Sequence, residues 1–326
     1  MWARSCALAI FGTLIFGITH ALALTSDRIN NAAFGVRKQQ SGQAADAFVV
    51  KAQVLLSRRN ISPGVVDGLD GDNYRKAISQ FRRQENLPAT DEIDADVWAR
   101  LDGDNVHDIV HEYEISETDA RYDFADSIPH DYVKQAELKR LSYTSPQEMF
   151  GERFHMSEKL LSDLNSGKDL SKASTTIFVV NASPAVQKGA GKRIEANKTT
   201  GMVLVYEDAN KVIASYPATI GSEATPSPSG EYKIEKVVRN PNYTYDPDKN
   251  FQQGRNDETL ILPPGPNNPV GTVWIALSKP TFGIHGTPEP SKVSKSASHG
   301  CVRLTNWDVE QLADLVKPGV MVRFVD

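Results

Sequence analysis

The sequence predicts a mainly β C-terminal domain with one helix, preceded by a small three-helix domain and an α/β connector. Three observations indicate this order. Apolar residues recur with a period near 3.6 in residues 47–102, strand-like and helix-like segments mix in residues 103–181, and short β-rich runs between Pro and Gly turns dominate residues 197–326. The Gly-, Ala- and Lys-rich stretch 182–196 is typical of a linker.

Length and composition bound the class of protein. The 326 residues suffice for two or three domains, and 40% hydrophobic with 24% charged residues is typical of globular proteins, not of membrane or disordered ones. The net charge of -5 comes without a block of like charges. A nucleic-acid partner is therefore not expected, because it would require a basic face.

The N-terminus predicts export. Arg4 precedes an apolar run at 6–18, and Ala21-Leu22-Ala23 fits the small-x-small rule for signal peptidase. We interpret residues 1–23 as a cleaved signal peptide. A membrane anchor is the alternative, but the run is shorter than the roughly 20 residues that a spanning helix needs. The polar residues 24–46 are expected to form a flexible leader.

Two cysteines occur, and Cys6 lies inside the signal peptide. The exported protein then carries one thiol, Cys301. A lone cysteine in an oxidising compartment is a liability unless it is used, so Cys301 is a candidate for chemistry; a buried inert thiol is the alternative.

Residues 47–102 predict three helices around a turn-rich loop at 60–72, the third helix at 95–101 with Asp94 as its N-cap. This stretch resembles the type 1 peptidoglycan-binding domain, which implies attachment to the cell wall. An unrelated three-helix bundle is the alternative. The matching residues are Val50 to Leu56, Asp67-Gly68, Gly71, the helix carrying Ala77 to Phe81, Leu87-Pro88 and Ile93 to Leu101.

Residues 103–181 predict two short helices after the turn at Pro146 and a closing strand at 177–180, an order similar to a LysM-like wall-binding module. His107 and His111 are spaced to share a helix face, as metal ligands sometimes do. No third ligand lies near them in sequence, so a solvated pair is the preferred interpretation and no metal is expected.

The C-terminal domain predicts strands at 202–206, 212–216, 232–238, 273–277 and 321–325, mainly antiparallel. One helix is predicted at 307–316, capped by Asn306 or Thr305 and stopped by Pro318-Gly319.

The segments His285-Gly286-Thr287 and Ser298 to Asn306 (SHGCVRLTN) are the informative ones for chemistry. A cysteine becomes a nucleophile when a neighbouring imidazole takes its proton and the site favours the thiolate. In an extended strand, residues i and i+2 share a face, so His299 is expected beside Cys301, whereas His285 must arrive from another strand or loop. Gly286 and Gly300 allow close backbone approach to a substrate, and amides around Gly300 and Cys301 are candidates for an oxyanion hole.

These segments, with the TPSPSG turn at 225–230, resemble the L,D-transpeptidase (YkuD-type) catalytic domain, a β-sandwich, over residues 197–326. The resemblance implies Cys301 as nucleophile and His285 as proton donor and acceptor. His299 orients the site or acts as a second base, and Arg303 holds the site or a substrate carboxylate. Capping of the following helix is preferred for Asn306. The remaining implied site residues, which shape the oxyanion pocket or support it with hydrogen bonds, are Gly300, Ser298, Gly286 and Thr287.

The family implies attack on the third residue of a peptidoglycan stem tetrapeptide, release of D-Ala, and transfer from a Cys301 thioester to an amine. A stem amine gives a cross-link and an outer-membrane lipoprotein gives anchoring, whereas water gives carboxypeptidase activity. No cofactor is required, β-lactam carbapenems are expected inhibitors, and the implied location is the periplasm.

Two alternatives remain open: a peptidase that cuts such links with the same site, and a non-catalytic wall-binding protein. A papain-like protease is disfavoured because no histidine follows Cys301. The long segment 239–269 is expected to be a lid or to line the substrate groove.

Overall fold

A computed structural model describes residues 24–35, 44–183, 187–221, 225–249, 251–295 and 300–326. The predicted signal peptide lies outside these ranges. In the part that is described, no helix combines the length and the apolar character needed to cross a bilayer.

Four helices form the N-terminal part: α1 (Ser26–Asn30), α2 (Ala47–Arg58), α3 (Asp72–Gln84) and α4 (Ala95–Arg100). The predicted cap of α4 is confirmed, because Asp94 Oδ1 accepts a hydrogen bond from the Val97 amide at 2.9 Å. The expectation of a flexible leader is wrong for its first residues. They form α1, and Ile29 is fully buried in the same core as α2.

The turn-rich loop between α2 and α3 is held by one buried side chain of α2. Gln53 Oε1 accepts from the amides of Asp67 and Gly68 at 3.0 and 2.8 Å, and its Nε2 donates to Asp67 Oδ1 at 2.9 Å. Gly68 has φ +74°, and a Cβ there would lie 2.8 Å from Ala45 and Val50. Both the conformation and the close approach require glycine.

The connector begins and ends with paired strands. Its elements are β1 (Val110–Glu114), α5 (Glu117–Ala120), α6 (Tyr132–Ala136), α7 (Pro146–Arg153), α8 (Glu158–Leu164) and β2 (Thr176–Val180). β1 and β2 are antiparallel, with Val110 opposite Val180. The two predicted helices and the closing strand are present. His111 lies on strand β1, so it does not share a helix face with His107.

The helical part and the connector share one hydrophobic core, so they form one packed body. Ser57 Oγ and Arg58 Nε, at the end of α2, donate to the Ala182 and Asn181 carbonyls at 2.8 and 2.7 Å. Fully buried members of the common core come from both parts: Val54, Leu56, Ala77, Val97, Phe150, Leu161, Ile177 and Val179.

The C-terminal domain is a nine-stranded sheet with one long helix. Its elements are β3 (Arg193–Asn197), β4 (Met202–Tyr206), β5 (Val212–Pro217), β6 (Thr219–Ile220), β7 (Gly230–Arg239), β8 (Tyr243–Tyr245), β9 (Leu260–Leu262), β10 (Val273–Leu277), β11 (Gly283–His285), a 3-10 turn (Pro290–Lys292), β12 (Val302–Arg303), α9 (Asn306–Leu315) and β13 (Met321–Val325).

The order in the sheet is β5-β4-β3-β13-β7-β10-β11-β12-β6, antiparallel except at β3–β13 and β11–β12. β7 pairs with β13 through residues 230–233 and with β10 through residues 234–239, so it joins two halves of the sheet. The predicted linker is too long at its C-terminal end, because residues 193–197 are strand β3. The core is formed by both halves together with α9, including Ile194, Val205, Ile275, Ile284, Val302, Val309 and Leu312.

Residues 239–269 contain the β8–β9 hairpin, which packs on the connector. Tyr245 and Leu262 are fully buried with Leu141 in a separate small core. The Leu141 amide donates to the Pro264 carbonyl at 3.0 Å, and the Leu141 carbonyl accepts from the Asn267 amide at 3.0 Å. The connector and the C-terminal domain are therefore hydrogen-bonded through this segment.

Candidate active site

Two neighbouring parallel strands bring the predicted nucleophile and base together. β11 pairs with β12 so that His285 lies opposite Arg303, and Cys301 directly precedes β12. Because side chains alternate along a strand, Cys301 and Arg303 point to the face that carries His285. All three line one cavity of about 350 Å³.

His285 is held as a neutral imidazole with a defined acceptor nitrogen. Its Nδ1 lies 2.7 Å from the Gly286 carbonyl oxygen, so Nδ1–H donates and Nε2 is left as the acceptor. The ring is buried and stacks on Trp274, with centroids 5.5 Å apart. Burial, with a smaller effect of the Arg303 charge, lowers the pKa of His285 to about 3.

Burial also affects the Cys301 thiol. Its Sγ lies 3.7 Å from the Thr281 carbonyl oxygen, and the Gly283 amide hydrogen-bonds the sulfur. Burial raises the pKa of the thiol, and the Gly283 amide and the Arg303 charge oppose that shift. The net direction of the shift favours the neutral thiol.

Arg303 supplies positive charge to the cavity. Its Nε is buried and has no hydrogen-bond partner among the described residues. The other cation on the cavity, Lys249, is paired with Asp246 at 2.6 Å. None of the described cavity residues is acidic, so the cavity suits an anionic group.

Gly300, directly before Cys301, is tied to the TPSPSG segment, a role that the residue pattern did not reveal. Ser227 Oγ donates to the Gly300 carbonyl at 2.6 Å. Gly300 has φ +100°, and a Cβ there would lie 3.0 Å from the Phe282 ring. Thr225, in the same segment, lines the cavity. The signal in the sequence was the turn motif itself, which carries no distance information.

Asn306 does not cap the helix, contrary to the preferred prediction. Thr305 is the N-cap, with its Oγ1 accepting from the Asp308 amide at 3.1 Å. The Asn306 side chain instead accepts from the Thr272 amide at 3.1 Å and donates to the Glu152 carboxyl group at 2.9 and 3.2 Å. It is a bridge between α9, the sheet and the connector.

Gly286 serves this bridge. A Cβ at Gly286 would collide with Asn306 Oδ1, so the missing side chain makes room for an internal amide. Gly286 was expected to let a substrate approach the backbone. The group that approaches it in the structure is instead the Asn306 side chain. Thr287 is buried, and its Oγ1 accepts from the Glu289 amide at 3.2 Å, away from the cavity. Ser298 and His299 lie outside the described residues.

Residues distant in sequence complete the cavity walls. The segment 239–269 contributes Tyr243, Lys249, Phe251 and Pro269. Of the two roles predicted for this segment, a lid or a wall of the groove, these residues agree with the wall. The connector contributes Tyr132, which the sequence did not single out. These residues could not be assigned from spacing, because only tertiary packing brings them to Cys301.

Two segments of the chain match known families. Residues 191–323 match the YkuD family, described as "L,D-transpeptidase catalytic domain", and residues 46–101 match the family described as "Putative peptidoglycan binding domain". The second match agrees with the predicted helical wall-binding domain.

Curated relatives carry the same family name. "Putative L,D-transpeptidase YkuD" of Bacillus licheniformis is 34% identical over 122 residues, 37% of this chain and 59% of that protein. "Putative L,D-transpeptidase YqjB" of Bacillus subtilis is 33% identical over 135 residues, 40% of this chain and 69% of that protein. The chain thus spans less than two thirds of the length of the YkuD proteins. A solved structure, L,D-transpeptidase 3 from Mycobacterium tuberculosis in complex with a faropenem-derived adduct, is 15% identical, with a TM-score of 0.34 over 50% of this chain and 78% of that one.

Proposed function

This chain belongs to the L,D-transpeptidase family, and from that premise we propose that it is a cysteine-dependent transpeptidase acting on peptidoglycan stem peptides, with Cys301 as nucleophile and His285 as its base. The observation that carries the proposal is the shared cavity of these two side chains. The bond from Nδ1 to the Gly286 carbonyl leaves Nε2 of His285 to accept a proton.

The first half-reaction starts from two neutral groups. As Cys301 Sγ attacks the carbonyl carbon of the third stem residue, the thiol proton passes to His285 Nε2. The negative charge on the carbonyl oxygen is stabilised by backbone amides near Gly300 and Cys301. The tetrahedral intermediate then expels the amine of the terminal D-Ala, which takes the proton from His285. A neutral thioester and a neutral imidazole remain.

The second half-reaction reverses these proton movements. An acceptor amine attacks the thioester carbonyl and gives its proton to His285, and the departing Cys301 sulfur recovers that proton. A stem-peptide amine as acceptor gives a cross-link. An amine of an outer-membrane lipoprotein gives protein anchoring, and water gives a carboxypeptidase product.

The charge of the cavity supports a carboxylate-bearing donor. The Arg303 guanidinium faces a cavity whose described lining contains no acidic side chain, and stem peptides carry free carboxylates. We assign Arg303 to binding one of them. A carbapenem offers the same combination of acyl group and carboxylate, so we expect it to acylate Cys301.

The N-terminal match supports wall attachment in the periplasm. Because the helical part and the connector share one core, the test uses the whole exported chain rather than the isolated helical domain. We expect the Cys301→Ala protein to co-sediment with purified sacculi. Sedimentation no greater than that of an unrelated periplasmic protein would remove this part of the proposal.

Intact mass after mixing with a carbapenem tests the core proposal. The wild-type protein should gain one adduct and Cys301→Ala none. A disaccharide tetrapeptide offered with and without an amine acceptor then separates cross-linking from hydrolysis by product mass. Absence of both adduct and products would favour a non-catalytic wall-binding protein.

A further inference from the structure

Tyr132 belongs to the connector but forms a wall of the candidate active site. It is the first residue of α6 and lies outside residues 191–323, which carry the match to the catalytic domain. It lines the same cavity as Cys301, His285 and Arg303. A domain that is expected to bind the wall therefore also reaches the reacting groups.

The position of the Tyr132 ring is defined by packing and by hydrogen bonds. The ring meets Tyr243, Tyr245 and Phe251 edge to face, with centroid distances of 6.1, 5.3 and 6.2 Å. The Tyr132 amide donates to Gln253 Oε1 at 3.3 Å, and Gln253 Nε2 donates to the His130 carbonyl at 2.7 Å. The start of α6 is thus clamped onto the segment that follows β8.

The chemistry of the ring complements that of Arg303. Burial raises the pKa of Tyr132 to about 12, and the Arg303 charge opposes the shift, so the phenol remains a hydrogen-bond donor at neutral pH. A guanidinium and a phenol O–H on one cavity, with no acidic side chain in its described lining, form a site for a carboxylate.

We propose that Tyr132 is a specificity-determining residue which, with Arg303, binds the free C-terminal carboxylate of the peptide acyl donor. The substrate site is then composite, formed by the connector and the C-terminal domain. This inference rests on the proposed function for the identity of the donor. Its chemical class is a peptide with an unblocked C-terminal carboxylate, and the matching carboxamide is the discriminating ligand.

The experiment measures binding apart from catalysis. Calorimetry with Cys301→Ala and with Cys301→Ala/Tyr132→Phe compares the stem tetrapeptide acid with its C-terminal carboxamide. Loss of one charge-assisted hydrogen bond should weaken binding of the acid about 10-fold and that of the carboxamide less than 2-fold. The matched control is Tyr122→Phe, a connector tyrosine packed on Phe124 and Tyr143 and not on the cavity.

The outcomes separate the two proposals. The role of Tyr132 is overturned if the two Cys301→Ala proteins bind the acid with equal affinity. It is also overturned if Tyr132→Phe weakens binding of the acid and of the carboxamide equally. Neither outcome depends on the activity of the wild type. Failure of the wild-type protein to form a thioester or to release D-Ala overturns the proposed function. Thermal unfolding of each variant checks that the connector remains docked, and Tyr132→Ala should weaken binding of the acid further by opening the wall.

Discussion

At the residue scale, the main feature is that burial favours the neutral form of both the Cys301 thiol and the His285 imidazole. Burial raises the pKa of Cys301 and lowers that of His285 to about 3. Both shifts favour the neutral pair over a preformed thiolate–imidazolium pair. In the proposed mechanism, proton transfer therefore accompanies attack.

The lowered pKa of His285 predicts an unusual pH dependence of the acylation rate. For a histidine with its ordinary pKa near 6.5, the neutral fraction would fall about 10-fold between pH 7.5 and pH 5.5. Because the pKa of His285 is lowered to about 3, its neutral fraction should stay nearly constant over that range. The rate of Cys301 acylation by a carbapenem should change less than about 2-fold over that range. It should rise only at strongly alkaline pH, because burial raises the pKa of the Cys301 thiol above its ordinary value. Stopped-flow absorbance measures the rate, and a 10-fold fall toward pH 5.5 would contradict the assignment.

Ser227 provides a second test at this scale. Ser227→Ala removes the hydrogen bond to the Gly300 carbonyl, so the turn that presents Cys301 is less well defined. One hydrogen bond contributes about 1 kcal/mol, here to the activation free energy of acylation. The acylation rate should therefore fall roughly 5- to 10-fold, with little change in Tm. The control is Ser229→Ala on the same turn, whose hydroxyl accepts from Lys198 Nζ at 3.1 Å. Similar rates for both variants would remove the positioning role.

At the element scale, the start of α9 separates two functions that lie on adjacent residues. Thr305 caps the helix, and Asn306 bridges the helix, the sheet and Glu152 of α7. Gly286 packs against the Asn306 side-chain amide, and the Gly286 carbonyl accepts the hydrogen bond from His285 Nδ1. The bridge at Asn306 therefore also supports the position of His285.

The two residues should therefore respond differently to substitution. Thr305→Ala is expected to cost about 1 kcal/mol of unfolding free energy with the acylation rate unchanged. Asn306→Ala should cost about 2–4 kcal/mol, because it leaves buried partners unpaired, and should also slow acylation. Urea denaturation and carbapenem acylation measure the two effects. An Asn306→Ala protein with the stability and rate of Thr305→Ala would show that Asn306 only begins the helix.

At the scale of the whole molecule, buried carboxyl groups lie where the parts of the chain meet. Glu152 of the connector contacts α9, and Asp308 of α9 is hydrogen-bonded to Ser62 of the helical part. Burial raises the pKa of Glu152 to about 8 and that of Asp308 to about 7. Both carboxyl groups are therefore largely protonated in the folded protein below neutral pH.

The sign of the resulting pH dependence is defined. A carboxyl whose pKa is raised by folding stabilises the folded state below its unfolded pKa near 4, and that stability is lost as the pH rises through 7 to 8. We expect the free energy of unfolding to be about 2–4 kcal/mol lower at pH 9 than at pH 6. The readout is a correspondingly lower Tm at pH 9. Glu152→Gln, which keeps the neutral shape, should flatten this slope. Glu117→Gln, at an exposed ion pair, should not. An unchanged slope in Glu152→Gln would refute the assignment.

The sequence by itself determined much of the local structure and the candidate reacting pair. Strands β4 and β10 were predicted with their observed bounds, and the His285 and Cys301 segments pointed to one site. Such features are encoded in the period of neighbouring side chains and in short motifs. The tertiary structure alone decided the burial that raises the pKa of the Cys301 thiol, the bridge at Asn306 and the wall formed by Tyr132. Desolvation and cavity walls depend on which distant segments pack together, and no spacing along the chain records that.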